Sequence, residues 1–145
     1  MHNRTILITH ADMRKLTDLL EANTNSLKRD QQYLGMLAHE LERAEVVDSE
    51  SIPSNVITMH SRAQVRDLDS RKDTGYTLVF PAEADINEHR ISVLAPIGTA
   101  ILGYREGDKI EWKVPGGLRR LKVLKVLYQP EAAGDEPGNQ VKRIA

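Results

Sequence analysis

The chain has 145 residues, with 20 Lys+Arg against 21 Asp+Glu for a formal net charge of −1, 40% apolar residues, 4% aromatics and no Cys. That length suits one ordinary domain with an appendage, and the missing Cys excludes disulfides, thiolate metal sites and cysteine catalysis. No apolar run approaches the ~20 residues of a membrane helix, and the first residues carry no secretory signal, so a soluble cytoplasmic protein is expected.

The first half has a helical period. After Ile6-Leu7-Ile8 comes Thr9-His10-Ala11-Asp12, a start signal of the capping-box kind with Asp in place of the better Glu. Met13, Leu16, Leu19 and Leu20 then form one apolar stripe. Asn23-Thr24-Asn25-Ser26 is a turn cluster, because these side chains compete for backbone hydrogen bonds. A second helix is predicted over 28–45, with the stripe Tyr33, Leu34, Leu37, Ala38, Leu41 and Ala44. Gly35 weakens it by about 1 kcal/mol without ending it. Two amphipathic helices on so short a turn predict an antiparallel hairpin, a short coiled-coil finger of roughly 20 Å.

A polar stretch with Pro53, from Asp48 to Asn55, marks the boundary, and beyond it the period changes to two. Strands are predicted at 56–59, 63–68, 76–80, 90–94, 109–114 and 118–128, all rich in β-branched and aromatic residues. Pro96 opens a short helix that Gly103 ends. Residues 1–48 thus form a finger and 49–130 an α+β domain, with 131–145 a flexible tail that has nothing to bury.

Catalytic signals are missing. The five His include no i,i+4 pair, and neither a Walker loop nor a GxGxxG is present. His60 and Ser61 are strand neighbours pointing to opposite faces, so His60 reads as a solvated strand-end residue rather than a base. Six basic residues lie between Lys109 and Lys125 against the single acid Glu111. They read as a solvated sheet face, with a weak nucleic-acid contact as the minor alternative. No metal, cofactor or catalytic residue is expected.

Residues 55–129 resemble the C-terminal domain of the bacterial Gre transcript-cleavage factors. The motifs are Val56-Ile57-Thr58-Met59-His60-Ser61, Glu83-Ala84-Asp85-Ile86 and the run from Ile91 to Gly103, followed by Glu106-Gly107-Asp108, Val114-Pro115-Gly116-Gly117 and Leu124-Lys125-Val126-Leu127-Tyr128. The short finger and the ending from Tyr128 to Asp135 are similar to the smaller relatives called regulators of nucleoside diphosphate kinase. The resemblance implies an FKBP-like antiparallel sheet with one short helix. It also implies docking on the rim of the RNA polymerase secondary channel through Ser92, Leu94, Ala95, Pro96 and Ile97. Leu94 and Ala95 stand where Gre factors commonly carry Asp or Asn and Ser, which makes this surface more apolar.

In Gre factors two acids at the tip of a long finger help to hold a second Mg²⁺. Here the tip offers Asn25, Lys28, Arg29 and Asp30. The expected function is therefore a monomeric, non-catalytic regulator that binds RNA polymerase and competes with Gre factors. The alternatives are an active cleavage factor and an FKBP-like prolyl isomerase or chaperone. The scarcity of aromatics speaks against the last.

Overall fold

A computed structural model describes residues 5–23, 28–114 and 116–135, with side chains at all of these except 28–30 and 112–114. The chain opens with β1 (Leu7–Thr9), α1 (His10–Ala22), α2 (Lys28–Glu42) and β2 (Glu45–Val47). The sequence reading contained neither β1 nor β2. They pair in parallel, Leu7 opposite Glu45, and the two helices make the crossover that parallel strands require. The second helix accordingly stops at Glu42 rather than 45, because Val46 and Val47 gain a ladder beside the buried Ile6–Ile8 run. Leu34, Leu37 and Leu41 are buried as their spacing implies, whereas Tyr33 at the stripe's margin is exposed.

The second half holds β3 (Arg62–Asp67), β4 (Asp73–Val79), β5 (Arg90–Ser92), α3 (Pro96–Ile101), β6 (Lys109–Val114) and β7 (Gly117–Tyr128). They form a five-stranded sheet in the order β5-β4-β3-β7-β6. Its β3–β4, β3–β7 and β6–β7 pairs are antiparallel, but β5 runs parallel to β4, so the expected all-antiparallel sheet is corrected. The cause is the connection between β4 and β5. It is long enough to carry the chain back, so that Arg90 enters opposite Thr77.

Residues 56–59, predicted as a strand, make only an isolated bridge between Val56 and Arg105. They are fully buried, and their backbone groups are satisfied by other means. Ile57 N–H donates to Tyr104 O, Gly103 N–H donates to Ile57 O, and Met59 and Thr58 donate to the side chains of Asp12 and Ser61. Burial without a ladder is stable where such groups find other partners.

The tail also departs from expectation. Residues Pro130–Ala133 form a helical turn, α4, on the side-chain cap of Gln129. Gln129 and Pro130 are buried, and Tyr128 bonds Asp135 through its hydroxyl. Polar anchoring holds this segment where apolar content could not. Residues 136–145 lie outside the described set.

One apolar cluster joins the two halves. Ile6, Ile8, Leu16 and Leu37 share it with Ile57, Leu78, Ile101 and Leu121. The α+β arrangement is thus two N-terminal helices and a C-terminal sheet on a common core.

Candidate functional site

The residues expected to dock, Ser92 to Ile97, form one tight turn between β5 and α3. Ser92 O accepts from Ala95 N–H at 2.9 Å, and Ser92 Oγ accepts from Leu94 N–H at 3.0 Å. Thr99 Oγ1 reaches back to Val93 O at 2.6 Å. Pro96 sits at the first helical position, where its fixed φ suits the start and no N–H is missed. Gly98 lies so close that a Cβ there would stand 2.1 Å from Ser92 O. Only glycine fits.

Of the five residues, Pro96 is exposed, while Ser92, Leu94, Ala95 and Ile97 are half-buried. Alternation along a strand that contains Ile91 and Val93 on its inner face would turn Leu94 outward, but it packs against the core with Ile97. The turn therefore presents a proline on an apolar, fixed base. Beside Ile97 a pocket of ≈ 140 Å³ opens between Tyr76, Leu121 and the ion pair of Arg119 with Asp67. That is far below the ~300 Å³ of the smaller small-molecule sites, and it suits one side chain.

The basic stretch is partly tied down. Arg119 pairs with Asp67, the last residue of β3, at 2.9 Å and Arg120 with Asp69 of the β3–β4 turn at 2.6 Å. Amides of Ser70 and Asp69 on the Asp67 carboxylate, with Arg119 beside it, hold its pKa below the usual range. These two cations serve the turn.

His60 is corrected as well. Its side chain is only 12% exposed, and Nε2 lies 2.8 Å from Glu83 Oε1. Ser61 is buried, and its Oγ accepts from Thr58 N–H and bonds the Thr58 hydroxyl. His60 and Ser61 are thus committed to different partners, which leaves no nucleophile–base pair between them.

A second constellation was missed in the sequence. Thr9 Oγ1 caps α1 by accepting from Asp12 N–H, the first half of the expected capping box. The Asp12 carboxylate accepts from Met59 N–H at 3.1 Å and also meets the Thr9 side chain. Burial pushes the Asp12 carboxyl up to about 7, against the lowering effect of the Met59 amide. Next to it the Thr58 hydroxyl donates to Glu131 of α4 at 2.8 Å. The 56–61 segment is therefore the hub to which α1 and α4 are fastened. The Thr-x-x-Asp spelling was the available signal.

At the finger, Asn25 lies outside the described residues, and Lys28, Arg29 and Asp30 stand in the first turn of α2. Asn23 closes α1 by donating its side-chain amide to Leu19 O at 2.8 Å. Among the described residues no group of three or more His, Asp or Glu converges as a metal site would require.

Residues 52–128 match the family model for the C-terminal part of the GreA/GreB transcription elongation factors, and residues 4–47 match that for the Rnk N-terminus. The regulator of nucleoside diphosphate kinase of Escherichia coli (strain K12) is 40% identical over 141 residues, 93% of this chain and 98% of its own length. The transcription elongation factor GreA of Rhodospirillum rubrum is 35% identical, over 81% of this chain and 78% of its own. A solved GreA/GreB elongation factor from Nitrosomonas europaea superposes with a TM-score of 0.68 at 41% identity, covering 87% of this chain and 100% of that one. With both halves matched, the chain belongs to the GreA/GreB elongation-factor family, in its branch of Rnk regulators.

Proposed function

We propose that this protein is a non-catalytic regulator of transcription elongation that binds bacterial RNA polymerase at the rim of the secondary channel and competes there with Gre factors. The observation that carries the reading is the 92–97 turn. A proline exposed on a base held by three hydrogen bonds and a glycine contact loses little freedom when a partner covers it. The FKBP-like arrangement of sheet and short helix, the coiled-coil character of the finger, and a monomeric, cytoplasmic state are parts of this reading.

The finger supports a regulator over a cleavage factor. Helix α1 has 13 residues and α2 has 15, or about 20 and 22 Å at 1.5 Å per residue. Such a finger is too short to carry carboxylates deep into a channel. The direct test is competition. Excess protein suppresses Gre-stimulated RNA cleavage in a stalled elongation complex, and raising the Gre factor restores it, as mass action requires. Simultaneous binding of both proteins to one polymerase is the result against it.

A further inference from the structure

The five-stranded sheet has one face on the core, and its register assigns what stands on the other. Residues directly opposite each other on paired strands share a face. Ala63, Val65, Leu121 and Val123 are buried in the core, so their neighbours Arg66 and Lys122 point outward. Lys109 of β6 lies opposite Lys122, and Lys122 in turn lies opposite Arg66 of β3. Cations thus form one row across three strands.

A bulge adds another. Lys122 and Lys125 are an odd number of positions apart, which would set them on opposite faces of a regular strand. Here Val123 faces Val65 and Lys125 faces Gln64, so Leu124 is the extra residue and Lys125 comes round to the outer face. These cations are unequally satisfied. Arg66 is clasped by Asp73 through two hydrogen bonds, and Arg120 pairs with Asp69. Lys109, Lys122 and Lys125 make no side-chain ion pair among the described residues. Of the other acids near this face, Glu111 lies opposite Arg120, and Glu88 shares a pocket with Arg62 at the other end of β3. The lysine triplet is left as the centre of positive charge.

Like charges directly opposite each other destabilise a sheet. Lysines commonly guard edges, but β7 lies between β3 and β6 and has no edge there to guard. Lys122 therefore costs stability without protecting the pairing, and an anionic partner would offset that cost. Protein interfaces bury an apolar centre depleted in Lys, whereas the centre here is lysine with Gln64 beside it. No aromatic residue stands in register with the three lysines, so bases have nothing to stack on, which favours a duplex over a single strand. Double-stranded RNA is read largely through its 2′-hydroxyls, for which long cations are poorly suited. Duplex DNA carries one charge per ~1.7 Å of axis, dense enough to engage all three lysines together.

We propose that the outer sheet face bearing Lys109, Lys122 and Lys125 docks the phosphate backbone of double-stranded DNA without sequence preference. Strands β6 and β7 lie on the far side of the sheet from β5, which leads into the 92–97 turn. The surface is thus additional to that turn, and its test needs no polymerase.

The test titrates a labelled DNA duplex with the full chain over a range of salt concentrations and reads fluorescence anisotropy. Binding at low salt is expected to be micromolar, with log K falling against log salt at a slope of about −3. Lys122→Gln/Lys125→Gln reduces the magnitude of that slope by about 2 and weakens low-salt binding by about tenfold. Arg14→Gln/Lys72→Gln removes the same charge from exposed positions on α1 and the β3–β4 turn, and should bind within about twofold of wild type. Gln64→Glu offers Lys125 an ion pair, so it should melt no lower than wild type and yet bind DNA more weakly, which separates a lost surface from a lost fold. Equal losses in the two double variants would assign binding to net charge and overturn the patch. Absence of wild-type binding at low salt, or tighter binding to duplex RNA or single-stranded DNA than to duplex DNA, would also overturn it.

Discussion

The carboxylate of Asp12 accepts a hydrogen bond from the backbone N–H of Met59 at 3.1 Å, across 47 positions of sequence. It is the polar tie between α1 and the buried hub at 56–61, and Asp12 is only 3% exposed. Lys15 is the cation that acts on it, and Glu131 of α4 adds a like charge.

That burial makes stability depend on pH. The carboxyl titrates near 3.8 when unfolded and at about 7 when folded. Below the lower value both states hold the proton, and the contribution of the neutral carboxyl is fully present. From there up to about 7 only the folded chain holds it, so unfolding grows easier as pH rises, and above 7 the contribution is gone. Asp12→Asn keeps an oxygen for Met59 and removes the titration. Between pH 5 and pH 8 the wild type is expected to lose more stability than the variant, by on the order of 1–3 kcal/mol. Thermal unfolding of both proteins at the two pH values checks this, and parallel losses would contradict it.

Gly98 and Gly35 should respond oppositely to alanine. A Cβ at Gly98 meets the backbone of Ser92 and Val93, which cannot rotate away, so the 92–97 turn must shift. Gly98→Ala is expected to cost about 1–3 kcal/mol and to weaken polymerase binding. Gly35 lies within α2 with nothing within 4 Å of a Cβ, so Gly35→Ala should stabilise by up to ~1 kcal/mol. Denaturant midpoints for the two variants give both signs.

The elements that were legible in the sequence are those with a strong period or punctuation. Leu16, Leu37 and Leu41 repeat at helical spacing and are buried, and Pro96 and Gly103 bracket α3 as such residues do. The residues proposed to dock lie in one contiguous turn, and strand alternation from Ile91 would face Leu94 outward, but the strand ends at Ser92. What was illegible depends on distant partners. Leu7–Thr9 is too short to read as a strand until Glu45–Val47 lies beside it. Residues 56–59 have a strand's composition, yet the side chains of Ser61 and Asp12 take the Thr58 and Met59 N–H groups. Local pattern reports burial better than it reports pairing.

Gln129 shows the same limit at the tail. Its side-chain amide donates to Pro53 O and to Val56 O, both at 2.8 Å, while its Oε1 accepts from Ala132 N–H. Gln129→Ala strands two carbonyls and uncaps α4, and should cost about 2–3 kcal/mol. Faster amide exchange in residues 130–135 and at Ile57–Met59 would accompany it. Truncation after Tyr128 should have the same effect, which a freely solvated tail would not produce.

The finger gives the last prediction. A carboxylate pair that helps to hold Mg²⁺ must converge, because the ion takes near-octahedral oxygen ligands. On this finger the acids nearest the turn are Glu21 and Asp30, and Lys28 and Arg29 stand between them in sequence. Glu21 is exposed near the end of α1, and Asp30 falls in the first turn of α2. Two cations at the same turn oppose a divalent ion. The reach of about 20 Å is short by several helical turns of what a cleavage finger uses. Stalled elongation complexes with Mg²⁺ and labelled RNA should therefore show cleavage at the intrinsic rate, whatever the concentration of this protein. Replacing Lys28 and Arg29 by Asp should leave that rate unchanged, since reach still fails. Shortened transcripts that disappear with Asp30→Ala would instead make this chain a cleavage factor.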